Sequence, residues 1–217
     1  MTKIFILLLA VVATSGCVLE MKIAPQIPPP SNGLKFPIKV AVVVPASTRQ
    51  ITATEELQNS CIGGTLAPSP EGDVFARTVE GVLRNYFQDV VSLSALPAPA
   101  DAQIVVEAVM TRIGIKPACG DSPTMNAIAE GSFRALGSDG RELWRSGHTS
   151  GRAEGGMDMS NYDTLTPKAM AALATDWAND LAGSALVRGA REPQSAESSE
   201  SAAPAPAAAG EKPWWAK

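Results

Sequence analysis

Ile38-Lys39-Val40-Ala41-Val42-Val43-Val44 is the stretch around which the rest of the chain organises. It is an unbroken, mostly β-branched run between Pro37 and Pro45, and such a run bounded by turn formers predicts a buried strand. The domain therefore begins near Pro37. A long polar loop is expected from Ala46 to about Pro68, carrying Cys61-Ile62-Gly63-Gly64. Ser69-Pro70 then opens a helix, with serine as N-cap and proline at the first helical position. Phe75, Val79, Val82, Leu83 and Tyr86 recur at helical spacing on one face. Gly72 and Gly81 each weaken that helix by about 1 kcal/mol relative to alanine, a cost that packing must offset.

Further along, Asp89–Ser94 reads as a short strand, and Pro97 and Pro99 break the chain. Apolar and polar residues alternate from Ile104 to Ile115, which predicts a second clear strand, ended by Pro117. A loop with Cys119-Gly120-Asp121 follows. Ala127–Leu136, the turn cluster Gly137-Ser138-Asp139-Gly140 and Arg141–Arg152 form the strongest hairpin signal, with Phe133, Leu143 and Trp144 as its large apolar groups. After a polar loop from about Ala153 to Leu165, Thr166-Pro167 starts a second helix. Its apolar stripe is Met170, Leu173, Ala174, Trp177, Leu181 and Ala185, and it ends near Arg188. This order predicts a single α+β domain over residues 37–188: two layers, a four- to five-stranded mostly antiparallel sheet, and two helices on one face.

Composition narrows the chemistry. The chain has 217 residues, 45% of them hydrophobic but only 5% aromatic, so its core is built mainly from Val, Leu, Ile, Ala and Met. Net charge is −4, pI is about 5.1 and no Lys/Arg cluster is present, which argues against a nucleic-acid partner. There is one histidine, His148, so a Ser-His-Asp or Cys-His system would have to use it, and a multi-histidine metal site is excluded. Ser146 and Ser150 lie two residues to either side of it. That spacing is common by chance on a strand, and a surface or edge histidine is the expectation. Glu154, Asp158 and Asp163 lie together in a loop with Gly155-Gly156; their spacing does not match an EF-hand, and a solvated acidic loop is expected rather than calcium. No metal, no cofactor and no catalytic residue is expected.

The N-terminus carries a more specific signal. Lys3 precedes an apolar run of about ten residues, Ile4 to Ala13, half of what a spanning helix needs. Small residues then lead to a cysteine, the layout of a secretory signal peptide over residues 1–16. Thr14-Ser15-Gly16-Cys17 resembles the lipobox of bacterial lipoproteins, with Thr14 where leucine is usual. The resemblance implies cleavage before Cys17, acylation of the Cys17 thiol and amino terminus, and anchoring of the mature chain by lipid, since two acyl chains hold a protein stably on a membrane. Val18, rather than aspartate, follows the cysteine, which within that family points to the outer membrane. Residues 17–36 contain Pro25, Pro28, Pro29 and Pro30 and read as an extended tether.

Of the three cysteines, lipidation of Cys17 leaves Cys61 and Cys119, an even pair in an exported domain. A disulfide between them would close a loop of about 60 residues and stabilise by roughly 4 kcal/mol in the chain-entropy model. Two separate thiols are the alternative. From Gly189 the composition turns to Ala, Pro, Ser and Glu, too poor in apolar surface to offset its ordering entropy, so 189–217 reads as a disordered tail. Its end, Lys212-Pro213-Trp214-Trp215-Ala216-Lys217, is different: two tryptophans between two lysines suit a membrane interface or a partner's groove. An exposed end without a partner is the alternative.

Over Lys39–Leu186 the element order is similar to that of small outer-membrane lipoproteins of the YajG-like and LptE-like groups. The run Val40–Val44, the turn Gly137–Gly140 and the helix from Pro167 carry that resemblance. It implies a fold and a location facing the periplasm from the outer membrane, and it transfers no site residue. Two functions are compatible: a non-catalytic adaptor or assembly factor of an envelope protein complex, or a carrier of a lipid or other apolar ligand. The anchor is directly testable. Metabolic labelling with an alkyne fatty acid marks the wild-type chain and not Cys17→Ala; equal labelling of both removes the anchor.

Overall fold

A computed structural model gives the fold and describes residues 18–19, 23–29, 33, 35–52, 54–55, 65–66, 70–137, 139–158 and 161–191. Strands run Val18–Leu19 (β1), Phe36–Val43 (β2), Thr54–Glu55 (β3), Thr65–Leu66 (β4), Phe87–Leu93 (β5), Ile104–Ala118 (β6), Thr124–Leu136 (β7), Glu142–Arg145 (β8) and Ser150–Gly156 (β9). Helices are Ala46–Arg49 (α1), Glu71–Tyr86 (α2), Tyr162–Ala182 (α3) and Ala185–Arg191 (α4). The signal segment, Cys17, Cys61 and the tail from 192 onward, with Trp214 and Trp215, lie outside the described residues.

The architecture is α+β, but the sheet is mixed rather than mostly antiparallel. Its order is β5-β2-β6-β7-β8, with β3 also on β6 and β9 also on β7. β2 pairs in parallel with β5 through Val40↔Val90 and with β6 through Val40↔Ile104. The reason lies in the opening run. Ala41 and Val43 are as buried as Val40 and Val42, so both faces of β2 are covered, and a strand of that kind belongs in the interior of a parallel array. The chain reaches its neighbour β5 by crossing over through α2 rather than by a tight turn. From β6 onward the sheet is antiparallel: β6 and β7 pair along almost their whole length.

Seven strands occupy five positions across the sheet, which accounts for the excess over the expected four or five. β2 and β3 lie end to end along one side of β6, and β8 and β9 do the same along β7. Pro117 does not end β6; it pairs with Met125. Beyond Ile115 no described strand covers the other side of β6, so a proline there removes no ladder bond on that side. The return limb of the hairpin is likewise not one strand. It breaks between Arg145 and Ser150, then continues as β9 to Gly156, into the region expected as loop.

α2 and α3 cover one face of the sheet. Phe75, Val79, Val82 and Leu83 are buried, as are Met170, Leu173, Ala174, Trp177 and Leu181. α3 starts a turn earlier than Thr166-Pro167 and carries Pro167 inside it. Leu165, fully buried over Gly155 of β9, supplies the packing that holds the extra turn. Gly183 then ends α3, and the Ser184 hydroxyl accepts the Val187 N–H (3.4 Å) to restart the chain as α4. Ala185 is therefore exposed instead of extending the stripe.

The two glycines that weaken α2 in isolation are contact points. A Cβ on Gly72 would lie 2.1 Å from the Thr48 carbonyl oxygen of α1, and one on Gly81 would lie 2.3 Å from Cδ1 of Ile27. Ile27 belongs to the Pro-rich tether. Within the expected tether, Val18–Leu19 forms β1 and pairs with β4, and residues 23–29 have no regular structure but are docked: Asn85 Nδ2 donates to the Pro28 carbonyl at 2.8 Å. Residues 23–29 thus pack on the domain rather than standing off it.

Gly151 of β9 meets backbone. A Cβ there would fall 2.3 Å from the Ala169 carbonyl oxygen and 2.5 Å from the Leu173 nitrogen. Gly151→Ala is expected to lower stability by about 1–3 kcal/mol by overpacking α3 against the sheet. Gly81→Ala, which meets only a flexible side-chain end, is expected to keep the fold and to expose residues 23–29 to limited proteolysis. Thermal melts of both variants check the contrast.

Candidate functional site

The break in the hairpin return positions the single histidine. At Ser146–Thr149 the chain leaves the ladder, held at each end by Ser146 N–H to the Phe133 carbonyl (2.9 Å) and Gly131 N–H to the Thr149 carbonyl (3.0 Å). The excursion turns toward the last turns of α3. There the Ser146 hydroxyl donates to Asp180 Oδ2, and His148 Nδ1 lies 3.0 Å from the same oxygen. The His148 N–H donates to Ser146 Oγ (3.1 Å), and Trp177 Nε1 donates to the His148 carbonyl (2.8 Å). Asp180 and Trp177 are three residues apart, hence on one side of α3, so both grip the same excursion.

Asp180 raises the pKa of His148, first through their hydrogen bond and then through its charge. For Asp180, burial pushes the carboxyl pKa up. Hydrogen bonds from Ser146, His148 and the Gly147 backbone outweigh that and leave it below the ordinary carboxylate value. Ser, His and Asp thus meet, but not as a nucleophilic relay. A relay needs the serine on the free imidazole nitrogen, Nε2. Here Ser146 spends its proton on the carboxylate, and histidine and serine share one acceptor oxygen. The arrangement is a clamp that fastens the strand break to α3.

The second concavity is apolar. At the end of the sheet where β6 begins and β7 ends lies a groove of about 990 Å³. Its walls are the 96–103 loop, the strand ends at Val105 and Leu136, and the α4 residues Leu186 and Ala190. Leu143 and Leu96 stand at it, 52% and 46% exposed, two of the most exposed large apolar residues described. Leu143 and Trp144 are both large apolar groups of the hairpin. Neighbours on a strand face opposite ways, however, and it is Trp144 that turns inward, edge-on to Phe133 at 6.2 Å. The loop wall is pinned to β2: Lys39 N–H donates to Gln103 Oε1 (2.9 Å), Gln103 N–H to the Lys39 carbonyl (3.0 Å), and Lys39 Nζ bonds Asp101 Oδ2 (2.7 Å).

The other sequence candidates are dispersed. Glu154 is on β9 paired with Asn126, Asp158 follows that strand, and Asp163 is in the first turn of α3. The three carboxylates are thus not one loop, because β9 and α3 each extend into it. Among the described residues no group of three or more His, Cys, Asp or Glu could hold a metal ion. Cys119 follows β6, is exposed and is disulfide-bonded; Cys61 and Cys17 are outside the described residues. β3 lies beside Gly114 and Ile115, which brings the stretch shortly before Cys61 to the end of β6 shortly before Cys119. Among the described residues no helix is long and apolar enough to cross a membrane.

No family model matches the chain, and neither does any curated protein. Solved structures of similar outline exist. One is a Xanthomonas campestris protein assigned to the family DUF330, with a TM-score of 0.44 and 13% identity, covering 77% of this chain and 96% of that one. Another is a minor lipoprotein from Acinetobacter baumannii, with a TM-score of 0.37 and 11% identity, covering 66% and 90%. A third is PelC from Paraburkholderia phytofirmans, a dodecamer, with a TM-score of 0.31 and 18% identity, covering 70% and 93%.

The clamp has a pH signature. Because His148 has a raised pKa in the fold, its contribution to stability is full below the ordinary imidazole value of 6.5 and is lost as pH rises through the raised folded value. At the acid end, the contribution is lost as pH falls through the lowered Asp180 value. The melting-temperature gap between wild type and His148→Gln is therefore expected to be widest in mildly acidic buffer and to close toward alkaline pH.

Proposed function

We propose that this chain is a lipid-anchored envelope protein that works by binding, as a non-catalytic adaptor or assembly factor, and that the groove at the end of the sheet receives an apolar segment of its partner. The observation that carries this reading is the pairing of exposed Leu96 and Leu143 at one concave apolar surface. Exposed large side chains gathered in a patch mark an interaction site, whereas scattered ones need no explanation. The pinned loop supports it further, since a preformed wall loses little conformational entropy when a partner docks. The lipobox-like Thr14-Ser15-Gly16-Cys17 and the absence of an aspartate at Val18 support anchoring at the outer membrane, facing the periplasm.

A second reading keeps the same groove and makes its ligand a lipid or other apolar small molecule. Its volume falls within the range of roughly 300–1,000 Å³ typical of such sites. The groove is open to solvent at Leu143, and small-molecule pockets usually bury about 70–90% of the ligand, which favours the adaptor. Enzymatic activity is not proposed: the clamp directs Ser146 away from the imidazole nitrogen a nucleophile would need.

The test is a pair of charge substitutions, Leu96→Glu with Leu143→Glu. Crosslinking in intact envelopes is expected to recover a reproducible partner with wild type and to lose it with the double variant, with the melting temperature little changed because both residues are exposed. Recovery undiminished by the substitutions removes the groove as the contact. An apolar ligand found by native mass spectrometry after gentle extraction, with no protein partner, favours the carrier.

A further inference from the structure

We propose that the groove is occupied, in the resting chain, by the chain's own C-terminal Trp214-Trp215, which a partner or ligand must displace. This rests on the groove being the binding surface, and it names a competitor built into the same polypeptide.

Three observations converge. First, the tail departs from the groove itself. α4, whose Ala185, Leu186, Gly189 and Ala190 line the groove, ends at Arg191, and the residues after it continue from that wall. Second, the length fits. Twenty-two residues separate Arg191 from Trp214. At up to about 3.3 Å per residue, a segment of that size can span roughly 70 Å, more than enough to return to its own starting helix. Carriage on the same chain makes the contact intramolecular and raises its effective concentration, so an intrinsically weak contact can still form.

Third, the chemistry matches. The tail is otherwise mostly Ala, Pro, Ser and Glu, and its large apolar side chains are Trp214 and Trp215. Each indole covers on the order of 150–250 Å² when buried. The domain offers Leu96, Leu143, Leu136 and Val105 around one concavity, and leaves the first two about half exposed. Flanking Lys212 and Lys217 remain free to stay in water while the rings insert. An apolar groove and an aromatic pair carried on the chain that leaves its wall are complementary in chemistry.

Site-directed disulfide crosslinking in native membranes tests it without detergent, which would itself fill the groove. Full-length chains carry Trp215→Cys with either Leu143→Cys or Leu96→Cys; Trp215→Cys with Lys168→Cys, on the outer face of α3, is the control. Mild oxidation followed by peptide mass spectrometry is expected to give an intramolecular crosslink to at least one groove position, several-fold above the control. Absence of both groove crosslinks overturns the proposal. So does a disulfide-linked dimer as the main product, which means a second copy supplies the tail. Protection of the Trp215→Cys thiol from a water-soluble reagent by lipid, without a groove crosslink, also overturns it and assigns the tryptophans to the membrane.

A second measurement separates this inference from the one beneath it. A fluorescent apolar dye added to the membranes is expected to bind Trp214→Ala/Trp215→Ala several-fold more than wild type, and to lose that gain when Leu143→Glu is added. Equal binding to wild type and the tryptophan variant, abolished by Leu143→Glu, leaves the groove intact as a site and removes only the tail. Binding insensitive to Leu143→Glu in every background removes the groove itself.

Discussion

The structure depends on one indole. Trp177 lies parallel to Phe133 of β7 at 5.3 Å and meets the edge of Phe75 of α2 at 5.9 Å, so it joins the sheet to both long helices. Its N–H reaches the His148 carbonyl. It sits so close to β7 that a Cβ on Gly131 would lie 3.1 Å from the ring. In a chain with few aromatics, this cluster supplies area and direction that the Val- and Ala-rich core cannot. Aromatic pairs contribute roughly 0.5–1.5 kcal/mol beyond their burial, and a buried indole N–H needs an acceptor. The strand break at Ser146–Thr149 supplies that acceptor, which gives the interruption of the hairpin a structural purpose.

Most elements were legible in the sequence because their periodicities are strong. The opening run, the alternation from Ile104 and the helical stripe from Phe75 to Leu83 all lie where the pattern puts them. What the pattern could not convey was which strands are neighbours. The parallel crossover follows from β2 being buried on both faces, a property that a continuous apolar run shares with a buried helix or an edge element until its partners are known. Boundaries failed where tertiary contacts overrode local chemistry: Leu165 carries α3 past Pro167, and Ser184 restarts the helix after Gly183.

The candidate site was less legible. His148 reads in the sequence as a surface or edge histidine, because its partner Asp180 lies on a different element and nothing in the sequence shows that the α3 face carrying Trp177 and Asp180 meets the strand break. The groove had a fainter signal. Leu143 beside Trp144 on one strand meant that one of the two had to face away from the core, and the Leu96-Pro97-Ala98-Pro99 segment was apolar without belonging to any periodic element. Neither fact locates a surface until the start of β6, the end of β7 and α4 are brought together.

The parallel placement of β2 also sets an order of events during synthesis. β6 and β7 are joined by a short connection and can close on each other as soon as both have emerged. β2 is made first, yet its partners are β5, beyond α2, and β6, further still. A chain growing from its N-terminus therefore holds this apolar strand unpaired until Phe87–Leu93 has emerged, and paired on one side only until Ile104 and the residues after it are available. Long-range pairings of this kind are slow, and an unpaired β-branched strand is prone to pair with the wrong chain. The residues that give the finished domain its buried centre leave the unfinished one with Ile38–Val44 exposed while the rest arrives.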